Sequence, residues 1–297
     1  METIKNPVEY TGAQVVQAAH GLASAYRSLQ HIQDTIHSPA PAVRHIDAAD
    51  LRDALKKGLE DFGAYRSDVI FLCAIYAVVG LVLARLAFGL DMLPLLFPLA
   101  SGFALIGPFA AVGLYEMSRR REQGLNVSWA NAFDVAQAPA FGAILVLGLI
   151  LIAIFLFWLY AAWSIFANTL GPAEPTSVSA FLHDVFFTNA GRAMMVIGIA
   201  VGFVFAVVAM AISIVSFPLL LDRDVGLDTA IKTSVRAVAA NPVPMAVWGL
   251  IVASGLVLGS VPLFIGLIVV LPVLGHATWH LYRKLVALPP AAPAELA

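Results

Sequence analysis

The chain has 297 residues, 60% of them hydrophobic and only 12% charged, with a mean hydropathy of +0.87 and a formal net charge of −2. A soluble domain carries roughly half apolar and about a quarter charged residues, so this balance describes a membrane protein. It offers no basic excess for nucleic acid, and the single cysteine, Cys73, excludes an intrachain disulfide and a thiolate metal cluster.

Residues 1–67 are polar and read as a cytoplasmic N-terminal helical segment, split at Ser38-Pro39-Ala40-Pro41. The start lacks the basic, apolar and small-residue order of a cleavable signal, so the first apolar block is expected to be an uncleaved anchor. A bilayer core about 30 Å thick needs about 20 helical residues. Blocks 69–90, 92–115, 141–168 and 193–221 meet that length, and Arg85 is the one charge among them. The run 243–282 has no Asp, Glu, Lys or Arg; as a single helix its roughly 40 residues would extend about 60 Å. It is therefore expected to fold back at Gly259-Ser260-Val261-Pro262, giving spans 241–259 and 261–282.

These six spans form a transmembrane domain over 68–286, and residues 287–297 read as a disordered tail. All of the 17 Lys and Arg residues except Arg85 and Arg192 fall on one side of that topology, which puts both termini in the cytoplasm. The expected class is an all-α membrane protein.

Three units recur. Each opens with a polar amphipathic stretch, at Asp50, Asn126 and Leu227, predicted as a short interfacial helix, and continues into an apolar hairpin. The second helix of each hairpin carries a proline before its inner exit: Pro108, Pro218 and Pro272. Asn126 in Gly124-Leu125-Asn126 and Asp228 in Gly226-Leu227-Asp228 stand where an N-cap is expected. In the external loop 171–192, Phe181, Val185 and Phe186 suggest a face that meets the membrane interface.

The runs LIGPFAAVGLYEMSRRREQG, from Leu105, and VRHIDAADLRDALKKGLEDF, from Val43, resemble a bacterial family of predicted multi-pass integral membrane proteins with a domain of unknown function. The resemblance covers about residues 43–284, and its most specific element is Gly107-Pro108 followed by Gly113-Leu114-Tyr115-Glu116 and Ser118-Arg119-Arg120. It implies a helical bundle in the bacterial inner membrane and no established activity. Some members of that family carry the label of a putative cytochrome c oxidase.

That label makes His276 and His280 the residues to weigh, because four residues of helix set both imidazoles on one face, as a haem or metal site would need. A catalytic haem-copper oxidase subunit is excluded, since His20, His31, His37 and His45 precede the membrane and His183 lies in the external loop. Superposing Pro272 on Pro108 sets Trp279 over Tyr115, His280 over Glu116, and Arg283 and Lys284 over Arg119 and Arg120. The pair then reads as the aromatic and basic exit of the last span rather than as a ligand set.

Arg85 lies close enough to its helix end to snorkel and pair with Asp91, and Glu116 has Arg119 and Arg120 within helical reach. No carboxylate sits at mid-membrane depth, which disfavours a proton-driven carrier. No phosphate loop, nucleophile elbow or metalloprotease motif is present. The expectation is a non-enzymatic inner-membrane accessory, assembly or scaffold protein with no catalytic, cofactor or metal site. Its partners would be the lipid bilayer and other membrane subunits, with a respiratory complex such as a terminal oxidase suspected. The alternative is a channel or small carrier for an apolar or lipid-like solute.

Overall fold

The computed structural model describes residues 35, 38–64, 93–171, 175–262 and 265–287. Helix α1 covers 48–64. Asp47 starts it by accepting the backbone N–H groups of Ala49 and Asp50, at 2.8 and 3.0 Å. A 3-10 turn, Leu93–Leu95, leads into α2, Leu96–Ala110, and α3 follows as Val112–Glu122. After a second 3-10 helix, Trp129–Gln137, come α4 (Phe141–Thr169), α5 (Val178–Phe187), α6 (Asn189–Ser213) and α7 (Ser216–Asp222). The chain ends with α8 (Leu227–Ala240), α9 (Pro242–Ser260) and α10 (Leu267–Leu285). Among the described residues there is no strand, and β pairing is limited to an isolated antiparallel bridge between Val43 and Val286.

Four helical runs are long and apolar enough to cross a membrane: Leu93–Ala110, Phe141–Thr169, Asn189–Asp222 and Pro242–Ser260. Three of them coincide with the expected spans 141–168, 193–221 and 241–259. The expected span 92–115 is shorter, because the chain turns at Ala111 soon after Pro108, with the Ala111 N–H donating to the Gly107 carbonyl at 2.8 Å. The block 69–90, with Cys73 and Arg85, lies outside the described residues, as do the tail beyond residue 287 and most of the segment before residue 38. The segment expected as span 261–282 is helical as α10 but is not among the four, and its second half is polar and buried.

The three prolines also occupy different settings. The helix is interrupted after Pro108 and before Pro218, whereas Pro272 sits inside a continuous α10. At the second interruption the Val215 N–H, freed by the break, donates to Ser234 Oγ on α8 at 3.2 Å. The stretch from Asn126 is a 3-10 rather than an α-helix, and its N-cap position is Ser128, whose backbone N–H donates to Asn131 Oδ1 at 2.8 Å. The N-cap of α8 is Gly226, with Asp228 in the first turn, so the two expected caps are displaced by neighbours.

Large apolar side chains on α4, α6 and α9 point outward, including Leu149, Phe157, Val196, Phe203, Val243 and Leu258. In water these would be a liability; in lipid they form the solvent-facing wall. Inside that wall Trp158 joins three helices. Its indole N–H donates to Ser101 Oγ on α2 at 2.8 Å, and its ring packs on Phe205 of α6 at 5.7 Å. Glycines allow the approach: a Cβ at Gly202 would stand 3.0 Å from Trp158, and one at Gly148 only 2.7 Å from the Phe109 ring.

Ser101→Ala leaves the Trp158 N–H unpaired between helices and is expected to lower stability in detergent by about 1 kcal/mol. Ser164→Ala, whose hydroxyl is engaged only with Asn168 on its own helix, should cost nearly nothing. Thermal unfolding of the two variants checks the difference.

Candidate functional site

The polar residues gather at the end of the bundle where α3, α7 and α10 meet α1 and the segment before it. The sequence of α1 explains its place there: Leu51, Ala54, Gly58 and Asp61 share one helical face, and all four are buried. A Cβ at Gly58 would stand 2.6 Å from the Ala277 Cβ, so α1 and α10 touch almost backbone to backbone.

That contact carries Asp61 into the protein, where it is 4% exposed. His280 Nε2 donates to its Oδ2 at 2.8 Å, Ser118 Oγ donates to the same oxygen at 2.6 Å, and Arg121 Nη1 donates to Oδ1 at 2.8 Å. A carboxylate only accepts, so the Ser118 proton is committed to Asp61, and the 2.8 Å contact between Ser118 Oγ and His276 Nδ1 is donated by the imidazole. His276 is fully buried, and among the described residues its Nε2 has no hydrogen-bond partner. Burial pushes the Asp61 carboxyl up, but the bonds from His280 and Ser118 and the nearby imidazole charges outweigh it, leaving the group below its ordinary value.

The rest of the α10 exit is engaged in the same way. Trp279 Nε1 and Arg283 Nε each donate to Glu122 of α3 at 3.0 Å. Tyr282 donates to Asp222 of α7 at 2.5 Å, with Arg283 Nη1 at 3.3 Å from the same oxygen. Lys284 bridges Asp53 and Asp50 of α1 at 2.9 and 3.3 Å; its hydrogen bond holds Asp53 below the usual carboxylate range, and Asp53 in turn raises the Lys284 ammonium.

Residues 38–47 complete the attachment as a strap. Gly226 N–H and Thr229 Oγ1 donate to Ser38 at 3.0 and 2.9 Å. Asn241, 3% exposed, accepts from Ile46 N–H at 2.9 Å and donates to the Arg44 and Ala237 carbonyls, both at 3.0 Å. Arg44 N–H donates to the Leu285 carbonyl and Ala287 N–H to the Ala42 carbonyl around the Val43–Val286 bridge.

Residues 95–222 match the family described as "Predicted integral membrane protein (DUF2189)". No curated protein and no solved structure matches the chain. The DUF2189 match is narrower than the expected range 43–284: it contains Ser118, Arg121, Glu122 and Asp222, and leaves α1 and α10 outside. The match agrees with the four helical runs long and apolar enough to cross a membrane, and together they support an integral membrane protein in contact with lipid.

The sequence-nominated residues therefore stand as follows. His276 and His280 meet in one network, but as hydrogen-bonded neighbours of Ser118 and Asp61. Among the described residues no group of three His, Cys, Asp or Glu side chains could hold a metal ion. Trp279 and Tyr282 are 0% and 1% exposed, so the α10 exit is buried in protein where the aromatic-belt reading placed it against headgroups. Of the family signature, Tyr115 and Glu116 are buried, and Glu116 accepts from Arg119 and Arg120 on its own helix, both at 2.7 Å. The Glu116 bond raises the Arg119 guanidinium, and Arg120 also reaches Asp134 at 2.8 Å. Gly107 and Pro108 mark the turn into α3, Pro218 lies in α7, and Pro272 is inside α10.

Asp61, Glu122, Asp222 and Asn241 were not nominated from sequence, and Ser118 stood there only within the family-like run Ser118-Arg119-Arg120. Asp61 carried a signal, since it stands on the same stripe as Leu51 and Ala54.

Asp61→Asn removes the charge that His280 and Arg121 meet, and is expected to cost about 2–3 kcal/mol. The sign with pH follows from the lowered carboxyl: its stabilisation is fully present above an unfolded value near 4 and is lost as pH falls through the lower folded value. Thermal unfolding between about pH 6 and 2 should therefore fall more steeply for the wild type than for Asp61→Asn.

Proposed function

We propose that this protein is a non-enzymatic accessory, assembly or scaffold component of a bacterial inner membrane, with six spans in three hairpins and both termini cytoplasmic. The observation that carries the reading is the self-engaged polar end: Asp61, Glu122 and Asp222 are each met by two or three donors from other helices. Chemistry-bearing side chains are spent on holding α1 and the strap, which suits a protein that fixes surfaces in place.

The topology has support from the Val43–Val286 bridge, since two paired residues lie on one side of a membrane and an even number of crossings separates them. Helices α2 and α10 both run towards the polar end, in keeping with a crossing before each. Arg121, Arg283 and Lys284 collect there with α1, as a cytoplasmic face would have them. The respiratory association rests on the labels of some members of the resembling family.

Isolation of the full chain from native membranes in mild detergent should yield a stoichiometric membrane partner by mass spectrometry; a terminal-oxidase subunit would establish the respiratory reading. A monodisperse lone species would overturn the accessory role. The same sample should show no Soret band, because His280 Nε2 is held on Asp61 and His276 is fully buried. A Soret band abolished by His276→Ala and His280→Ala together would replace this proposal with a haem protein.

A second reading, a channel or small carrier for an apolar or lipid-like solute, draws on an open groove of about 380 Å³ between α4 and α6. Its lining includes Ile154, Phe157, Tyr160, Val204, Phe205 and Val208. Flux of such a solute in proteoliposomes would favour it.

A further inference from the structure

Helix α5 lies at the opposite end of the bundle from the Asp61 network, between the last turn of α4 and the first turn of α6. Both of its joints are built. Ser177 Oγ accepts the Ala180 N–H at its start, and Thr188 ends it while accepting the Gly191 N–H that opens α6. A Cβ at Gly191 would stand 2.1 Å from the Asp184 carbonyl, so α5 and α6 are pressed together at a corner that only glycine fits.

Of the apolar residues that sequence nominated in this loop, Val185 is buried against the bundle and Phe181 packs edge-on to Phe166 of α4 at 6.4 Å. The exposed face keeps only Phe186 of the three nominated residues. Val178, Leu182 and Phe186, four residues apart, are 43%, 47% and 54% exposed, while Phe187 lies off this stripe and packs on the His183 ring at 5.3 Å. Ser179, His183 and Asp184 form the adjoining polar face, and all are exposed. Such a division between two exposed faces is what an interfacial helix presents to water on one side and lipid on the other.

A separate observation supplies the depth. Tyr160 and Trp163 on α4 are both exposed and stacked at 6.5 Å, about two turns before α4 ends at Thr169. Exposed Tyr and Trp mark the headgroup level of a span. The outward apolar wall runs up to this level on both helices, with Phe157 on α4 and Val196 on α6 exposed.

We propose that α5 is a membrane-surface anchor: the Val178–Leu182–Phe186 stripe inserts at the boundary of headgroups and acyl chains and fixes the depth of the α4–α6 hairpin. The occupant of the stripe is lipid. The test uses the full chain in vesicles of phosphatidylcholine and phosphatidylglycerol, in a Cys73→Ser background. Single substitutions Leu182→Cys, Phe186→Cys and Ser179→Cys each carry a bimane label, with Val178→Cys in reserve should Phe186→Cys misfold. Labels at 182 and 186 should be quenched several-fold more by lipids brominated near the headgroup than by aqueous iodide, with the order reversed at 179. Equal iodide quenching at 182 and 179 would overturn the proposal. So would protection at 182 from both quenchers, or crosslinking of Leu182→Cys chains to each other, since either means that protein covers the stripe.

Discussion

Asp61 cannot stay charged beside Leu51 and Ala54 unless donors come to meet it, and the arrangement of one whole end of the bundle answers that requirement. An unpaired carboxylate taken out of water costs several kcal/mol. Here the compensation comes from two helices distant in sequence: Ser118 and Arg121 on α3, His280 on α10. Those residues reach one carboxyl only if α1, α3 and α10 lie side by side, and the Gly58–Ala277 contact sets the spacing at which they do. A larger residue at either position would lift Asp61 away from its donors while leaving it shielded from water.

Two solvents shape the rest. Along the membrane blocks, the outward surface is apolar and burial is sparse, because lipid takes the place of a protein core. At the polar end burial is dense, and it includes side chains with polar atoms that must find partners: His276, Trp279, Tyr282 and Asn241. The Trp and Tyr there hold their polar atoms on carboxylates, Trp279 on Glu122 and Tyr282 on Asp222, as a buried indole N–H or phenol must. The same residue types on α4, Tyr160 and Trp163, stay exposed where no carboxylate is offered.

This contrast accounts for what was legible in the sequence. Long apolar blocks admit few solutions, so α4, α6–α7 and α9 follow from length and composition. The role of α10 did not follow. Superposition on Pro108 gave Trp279 and His280 the meaning of an interfacial exit, and nothing in a single stretch reveals that Glu122 and Asp222, 157 and 60 residues away, come to meet it. The α1 stripe shows the limit well: Leu51, Ala54, Gly58 and Asp61 are visibly one face, yet an amphipathic helix can bury that face in lipid or in protein. Only the buried charge distinguishes them, because a carboxylate in the acyl region has no donors and one against α3 and α10 has three.

The interruptions at Ala111 and at Ile214–Val215 connect the two regimes. Beyond each the chain continues as a short helix whose last residue carries a carboxylate used by α10: Glu122 ends α3 and Asp222 ends α7. The first break follows from Pro108, and Ala111 returns its N–H to the Gly107 carbonyl. The second precedes Pro218 and is held by Ser234, so the amphipathic α8 contributes a donor's partner as well as a packing face. Helix α10, which receives the carboxylates, has no break despite Pro272. The three prolines thus sit beside two interrupted helices and inside one continuous helix, and α3 and α7, the short segments beyond the interruptions, both bring a terminal carboxylate to α10.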